Sequence, residues 1–436
     1  MVKKSQRLHV LMNGLLVGEL VKTSNGALTF TYHRDWLAQP GARPISLSLP
    51  LIEQIYSDDL VYNFFDNLLP DNQQIRARIQ ARFQIPTNQP FDLLTSIGRE
   101  CVGAIQLIAG PILEFEKKIK YKRLNDQKIA ALLRNYQLNP LGMSNDDFRI
   151  SIAGAQEKMA FLYYKDHWCE PLQETPTTHI FKLPIGFIAH QQMDLSDSCE
   201  NEWLCSLLAK AYGLPAADCE ILYFEEIKVL SVKRFDRRLS SDKSWLMRLP
   251  QEDLCQALGV SYNLKYQSDG GPGIKDIMQL LLGSTNAIED RDLFYRSQIF
   301  FWLIAGIDGH AKNFSLFIEP EGKYHLTPLY DILSAYPLIK KKQLQSQKIK
   351  MAMALKSKHN HYHWHTMQQI HFLETAKFVN YSVARAEHIL HDMLAKTDTV
   401  IEVVAKNLPT SFPKNISEPI FEGLKKAKQK LANYEI

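Results

Sequence analysis

At 436 residues the chain has room for two or three domains and a sizeable core. Its 45% hydrophobic and 22% charged residues are those of a soluble globular protein, and a net charge of +4 is too slight to require a polyanionic partner. Six cysteines (101, 169, 199, 205, 219, 255) without a C-x-x-C pair read as reduced thiols of a cytoplasmic protein, not a disulfide framework or zinc site.

Lys3, Lys4 and Arg7 precede an apolar stretch, but His9, Asn13 and Gly14 interrupt it, so no signal peptide is expected. The longest apolar run, 299–307, is too short for a bilayer, and no membrane partner is expected. Strands are predicted at 8–12 and 15–19 around Asn13-Gly14, and at 21–23 and 27–32 around Ser24-Asn25-Gly26. Residues 71–83 predict a helix with Ile75, Ile79 and Phe83 on one face and Arg76, Arg78 and Arg82 off it. A further strand is expected at 102–108. Residues 1–110 thus form one β-rich amino-terminal unit. Residues 111–147, with a lysine-rich cluster and a helix at 126–136, read as a connector with a surface helix.

From 148 the pattern turns to strands at 149–152, 158–164 and 179–183. A helix follows from Asp197 to Gly213, then strands at 220–224 and 228–232. This order is that of a kinase small lobe, taken as 148–235. Helices dominate 236–436, with segments at 251–259, 273–282 and 290–306.

The chemistry centres on 307–331. Asp308 and Asn313 stand as D-x-x-x-x-N, the spacing of a kinase catalytic loop in which Asp handles a hydroxyl and Asn holds Mg²⁺. A predicted hairpin, 314–318 and 324–327 around Pro320-Glu321-Gly322, then leads to a second carboxylate, Asp331. Asp308, Asn313 and Asp331 would meet there; a helix end followed by an ordinary hairpin accounts for the spacing equally. Ser151-Ile152-Ala153-Gly154-Ala155-Gln156-Glu157-Lys158 joins two strands and offers backbone N–H groups to phosphates, or is a plain hairpin. Lys182 sits inside the apolar run I-F-K-L-P. It either points inward to phosphates, with Glu202 as carboxylate partner and Glu200 at the wrong angle, or guards a sheet edge. Arg234-Phe235-Asp236-Arg237-Arg238 lies where a hinge would meet adenine, or is a charged surface turn. Residues 332–373 hold seven lysines and no carboxylate, a surface for nucleic acid or an acidic partner, or a solvated loop.

Together these pieces resemble the HipA family of toxin serine/threonine-protein kinases. The resemblance rests on R-P-x-S-L-S-L-P (43–50), F-F-D-N-L-L-P-D (64–71), S-I-A-G-A-Q-E-K (151–158), T-H-I-F-K-L-P (178–184), R-F-D-R-R (234–238), P-Q-E-D-L-C-Q (250–256) and D-G-H-A-K-N-F-S (308–315). It implies an α+β, two-lobed kinase-like fold with an extra amino-terminal β-rich unit and a helical carboxy-terminal lobe. It implies Asp308 as catalytic base and Asn313 and Asp331 as Mg²⁺ ligands. ATP would be held by Ile152, Ala153, Gly154, Ala155, Gln156, Lys158, Lys182, Glu202, Lys233, Phe235, His310 and Lys312, with Ser151 as an autophosphorylation site. It further implies a serine of an aminoacyl-tRNA synthetase, glutamyl-tRNA synthetase first, as acceptor, so that translation halts and the cell turns dormant. The implied partner is a HipB-like helix-turn-helix antitoxin, through which alone operator DNA is reached. Three other readings stay open: a small-molecule or lipid kinase, an inactive homologue acting as antitoxin-binding co-repressor, and a one-metal hydrolase using Asp308, His310 and Asp331.

Overall fold

The computed structural model describes residues 6–112, 114–138, 158–189 and 192–432. The predicted strand 149–152, and Ser151, Ile152, Ala153, Gly154, Ala155 and Gln156 with it, lie outside the described residues. The chain divides into two compact units, 1–183 with 222–263 and 316–324, and 184–221 with 264–315 and 325–436.

In the first unit, five strands form an antiparallel sheet in the order Ile55–Tyr56, Leu28–Tyr32, Leu15–Lys22, Gln6–Met12, Ile105–Ile108. The Asn-Gly turn is as expected, with Asn13 at φ 50 and Gly14 at φ 83. A Cβ at Gly14 would also lie 2.2 Å from the Phe115 ring, so glycine is required twice over. The strands predicted at 15–19 and 21–23 are a single strand, Leu15–Lys22, because no turn residue separates them and Leu20 continues the buried face. Helix Gln73–Arg82, capped by the Asn72 side chain, buries Ile75 and Ile79 as predicted. Arg76 does not stand off that face. It is 3% exposed, donates to Asp66 Oδ1 at 2.5 Å and to the Pro70 carbonyl at 2.6 Å, and lies 4.7 Å from the Tyr262 ring centre. A partner carboxylate on a different helix, Asp58–Asp66, reverses what periodicity alone implies.

The second sheet of this unit runs Ile227–Lys233, His179–Lys182, Lys158–Tyr164, His167–Pro171, Tyr121–Arg123, with the end of Cys219–Phe224 outside Ile227–Lys233. His167–Pro171 was not predicted. It pairs with Lys158–Tyr164 through a tight turn at Lys165 and Asp166, both at positive φ. Helix Asp126–Leu138 is present where expected, but it closes a core: Ile129, Ala130 and Leu133 pack with Met159, Phe161, Phe181 and Val229. The helix predicted over 251–259 is shorter, Leu254–Ala257. Gln251–Asp253 is extended, and Asp253 caps the helix through a reciprocal bond with Gln256.

The second unit is built on helix Ala287–Leu303, whose last turns are apolar on every side and fully packed: Ile299, Phe300, Trp302 and Leu303 are buried to 1% or less. Helices Val383–Asn407 and Lys414–Ala432 pack against it and each other, and helix Ser198–Ala211 packs against both of these. The long helix Val383–Asn407 buries Ala386, Ile389, Leu390, Met393, Thr397, Val400 and Val404, a stripe at three- and four-residue spacing. All six cysteines are free thiols, as expected. Among the described residues no helix is long and apolar enough to cross a membrane.

Candidate active site

Helix Ala287–Leu303 ends at Ile304, Ala305 turns left-handed at φ 47, and Asp308 follows three residues on. The Asp308 side chain is 51% exposed, while its neighbours His310, Lys312 and Asn313 are buried. The D-x-x-x-x-N spacing has a direct structural meaning. Asn313 sits at the end of the short turn Ala311–Asn313, and its amide Nδ2 donates to the Asp308 carbonyl at 2.6 Å. With the NH₂ end committed to a carbonyl, the Asn313 oxygen is left to accept or ligate.

Asp331 follows the hairpin Ser315–Ile318 and Tyr324–Leu326, close to the predicted bounds, and lies at φ 59. Its neighbour Tyr330 donates from its hydroxyl to the Lys312 carbonyl at 2.8 Å and shares a 2.5 Å bond with Ser315 Oγ. The residue before Asp331 is thereby tied to the residue before Asn313. Leu329 bonds through its N–H to the Pro215 carbonyl and through its carbonyl to the Ala217 N–H, both at 2.8 Å. Asn201, on helix Ser198–Ala211, exchanges two bonds with the Ser334 backbone, at 2.8 and 2.9 Å, and Ser334 Oγ donates to the Ile304 carbonyl at 2.6 Å. The end of the central helix, the segment after Asp331 and the helix bearing Glu202 therefore meet at Ser334.

Glu202 and Glu200 are both buried. Ser198 through Glu202 are buried without exception, so the helix start has no outer side, and Glu200, two residues before Glu202, points to a different face of the helix.

One side chain at Asp308, that of Tyr266, escaped the sequence reading. The Tyr266 hydroxyl donates to Asp308 Oδ1, and the Tyr266 ring stands edge-on to His310 with centres 4.9 Å apart. His310 Nε2 lies 3.8 Å from the same carboxylate oxygen. The only local sign was a turn-rich run, Ser268-Asp269-Gly270-Gly271-Pro272, which announces a tight bend but not what it touches.

In the first unit, Lys182 is 5% exposed. Its strand is internal, with Leu230 opposite on one side and Lys158 on the other, so the sheet-edge reading fails. Lys158 and Lys182 are direct cross-strand partners, which puts two ammonium-bearing side chains on one face. Lys233 is exposed and Phe235 half-buried against Phe317, ring centres 5.8 Å apart.

The charged run beginning at Arg234 is not a surface turn. Arg234, Asp236 and Arg237 are buried with Glu100 and Arg248. Arg234 donates to Glu100 Oε1 at 3.1 Å, to Asp236 at 2.8 and 3.0 Å, and to the Cys101 carbonyl at 3.0 Å. Arg237 reaches Asp236, Glu100 and the Gly103 carbonyl, and Arg248 takes the other Glu100 oxygen at 2.8 Å. Burial alone would raise the Asp236 carboxyl; Arg234 and Arg237 outweigh it and hold it below its ordinary value. Burial and the adjacent Arg234 push Arg237 down to about 10. The Arg234 N–H donates to the Thr178 carbonyl at 2.9 Å, so the residue before Phe235 is held by its backbone as well as by its side chain.

Residues 8–108 match the family model described as the HipA N-terminal domain, and residues 150–401 that of the HipA-like C-terminal domain. The chain is 33% identical over 346 residues to the putative kinase Y4mE of Sinorhizobium fredii, covering 77% of this chain and 79% of that relative. It is 28% identical over 344 residues to the serine/threonine-protein kinase toxin HipA of Shewanella oneidensis, 76% of each chain. The solved complex of the Shewanella oneidensis toxin–antitoxin system, HipA with HipB and operator DNA, contains a chain that superposes with a TM-score of 0.81. Identity there is 21%, over 98% of both chains.

Proposed function

The chain belongs to the HipA family of toxin kinases, and from that premise we propose that it transfers the γ-phosphate of ATP to a serine of an aminoacyl-tRNA synthetase, glutamyl-tRNA synthetase first. The observation that carries the proposal is the exposed Asp308 carboxylate on a loop clamped by Asn313, with Asp331 tied to that loop through Tyr330. Phosphoryl transfer asks for little covalent chemistry and much positioning, which such a braced loop supplies. Asp308 accepts the proton of the acceptor serine as its oxygen attacks the γ-phosphorus, and the bond to the β-phosphate oxygen breaks.

The residues fit a nucleotide and its metal. Two lysines set opposite each other across a sheet, one nearly buried, carry ammonium donors on one face, and phosphate oxygens accept such charge-assisted hydrogen bonds. Asn313 and Asp331 are the hard oxygen donors that Mg²⁺ takes in small number when phosphates and water complete its shell. Mg²⁺, when bound, would neutralise charge on the phosphate oxygens. Phe235 and the backbone beside it would face adenine, and Ser151 would be the site of self-phosphorylation that ends activity. A HipB-like antitoxin would hold the kinase on operator DNA, and free kinase would stall translation and send the cell into dormancy.

The test is mass spectrometry of the purified chain with Mg-ATP and a panel of synthetases. One synthetase should gain phosphate on serine. Asp308→Asn should cut the rate about 10²–10⁴-fold, and Asp331→Ala at least as far. Transfer at the wild-type rate by Asp308→Asn would sink the assignment of the base.

A further inference from the structure

Tyr266 belongs to no motif that the sequence singled out, yet the fold takes trouble to place it. The chain bends sharply at 264–271: the Asp269 and Gly271 N–H groups both donate to the Tyr266 carbonyl at 3.1 Å. The bend is so close that a Cβ at Gly271 would stand 1.6 Å from the Leu264 carbonyl oxygen, so no side chain is tolerated there. Two further bonds fix the bend in the second unit. The Ala311 N–H donates to the Lys265 carbonyl at 3.2 Å, and the Ala354 N–H donates to the Gln267 side chain at 2.7 Å. Lys265 also lies 5.7 Å from the Tyr266 ring centre. The outcome is a half-buried tyrosine whose hydroxyl donates to Asp308 Oδ1 and whose ring is braced edge-on by buried His310.

A carboxylate that is half exposed turns freely about its side-chain torsions unless something holds it. Among the described residues, the hydrogen bond from Tyr266 falls on one Asp308 oxygen and no hydrogen bond falls on the other. We propose that Tyr266 is a positioning residue for phosphoryl transfer: it anchors Asp308 Oδ1 so that Oδ2 is presented to the hydroxyl of the incoming acceptor. The proposal rests on the kinase reading and on Asp308 being the base. It differs from two simpler accounts of the same hydrogen bond. If Tyr266 merely fills the acceptor's place, it competes with the substrate and its loss speeds the reaction. If it only packs the bend, its hydroxyl is dispensable.

Tyr266→Phe keeps the ring and removes the hydroxyl, so the fold is retained and the melting temperature should match wild type. Steady-state phosphate incorporation from Mg-ATP into purified glutamyl-tRNA synthetase, and into the chain itself, should show kcat lowered about 10- to 100-fold, as slight misplacement of a reacting group does. KM for ATP should stay within about twofold, because the bond removed is made to the base. In an Asp308→Asn background the second change should add less than about twofold, since the two residues act as one unit. An unchanged or faster Tyr266→Phe enzyme overturns the proposal, as does a loss of equal size in the Asp308→Asn background. If wild type incorporates no phosphate into either protein, the kinase reading itself falls and the role of Tyr266 falls with it.

Discussion

The Arg234 guanidinium donates to the Glu100 carboxylate at 3.1 Å, with both side chains almost wholly buried. Glu100 also receives Arg237, Arg248 and both the N–H and hydroxyl of Thr177. One carboxylate from the amino-terminal third thus organises three guanidiniums and the peptide leading to Phe235.

Glu100→Gln should therefore be one of the most damaging isosteric changes in the protein. It removes one negative charge from among three buried guanidiniums, of which only Arg234 and Arg237 also reach Asp236. Removing one partner of a buried ionic group typically costs about 3–5 kcal/mol, because the remaining charges stay desolvated. Urea unfolding should report a loss in that range; a loss below about 1 kcal/mol would mean that the cluster is not electrostatically organised as described.

Glu252 gives a pH signature. Burial pushes its carboxyl up to about 8, and the bonds from Ser46 and the Leu47 N–H, at 2.5 and 2.8 Å, recover only part of that. The folded value exceeds the ordinary value of 4.5, so the folded state holds a proton that the unfolded chain releases. The stabilisation is full below about 4.5 and disappears as pH rises through about 8. Glu252→Gln imitates the protonated acid: its carbonyl accepts from Leu47 and its NH₂ faces Ser46. Melting temperatures from pH 5 to 8.5 should fall with pH more steeply for wild type than for Glu252→Gln. Parallel curves would show that Glu252 is ionised in the fold.

What the sequence reveals and hides follows the range of the interactions. The Asn13-Gly14 turn was legible because its left-handed φ values are set by two adjacent residues. Asp308 and Asn313 were legible because a side chain reaching back five residues is still local. Arg76 was misjudged, since its place inside depends on Asp66 and Tyr262 from other elements. At Arg234 and Arg237 a surface turn stayed open beside the hinge reading for the same reason: the carboxylate that makes their burial tolerable, Glu100, is far away in the chain. Tyr266 shows the limit most sharply, because a bend can be inferred from Asp-Gly-Gly-Pro but the atom it delivers cannot.

The lysine-rich stretch 332–373 is less available to polyanions than its composition implies. Lys340 pairs with Glu422 at 3.2 Å and Lys341 with Asp194 at 3.0 Å. In a complex with antitoxin on operator DNA, changing both to alanine should leave the salt dependence of binding unaltered. Removing one ammonium that truly neutralises a phosphate lowers the log–log slope by roughly 0.9. A drop of about two in the slope would instead place both ammoniums on the DNA backbone. Stability should change little, as exposed pairs contribute about 0–1 kcal/mol.

The clasp between Asn201 and Ser334 links the helix that carries Glu202 to the segment that follows Asp331. Both residues are buried, so Asn201→Leu, close in volume, leaves a backbone N–H and a carbonyl at Ser334 without the partners they now have. Each such group costs about 1–3 kcal/mol when buried, and the loss in unfolding free energy should be on the order of 2–6 kcal/mol. The relaxation open to the chain is a shift of the Ser334 backbone, and Asp331, three residues away and already at φ 59, shifts with it. Phosphate transfer should therefore fall at temperatures where the variant is still folded, and raising Mg²⁺ should recover part of the loss if Asp331 is a metal ligand. Ser334→Ala removes only the Oγ bond to the Ile304 carbonyl and leaves the Asn201 bonds in place. It should cost less stability and keep the wild-type dependence on Mg²⁺. If Asn201→Leu lost stability yet transferred phosphate with an unchanged Mg²⁺ requirement, the clasp would be holding the helix alone and not the position of Asp331.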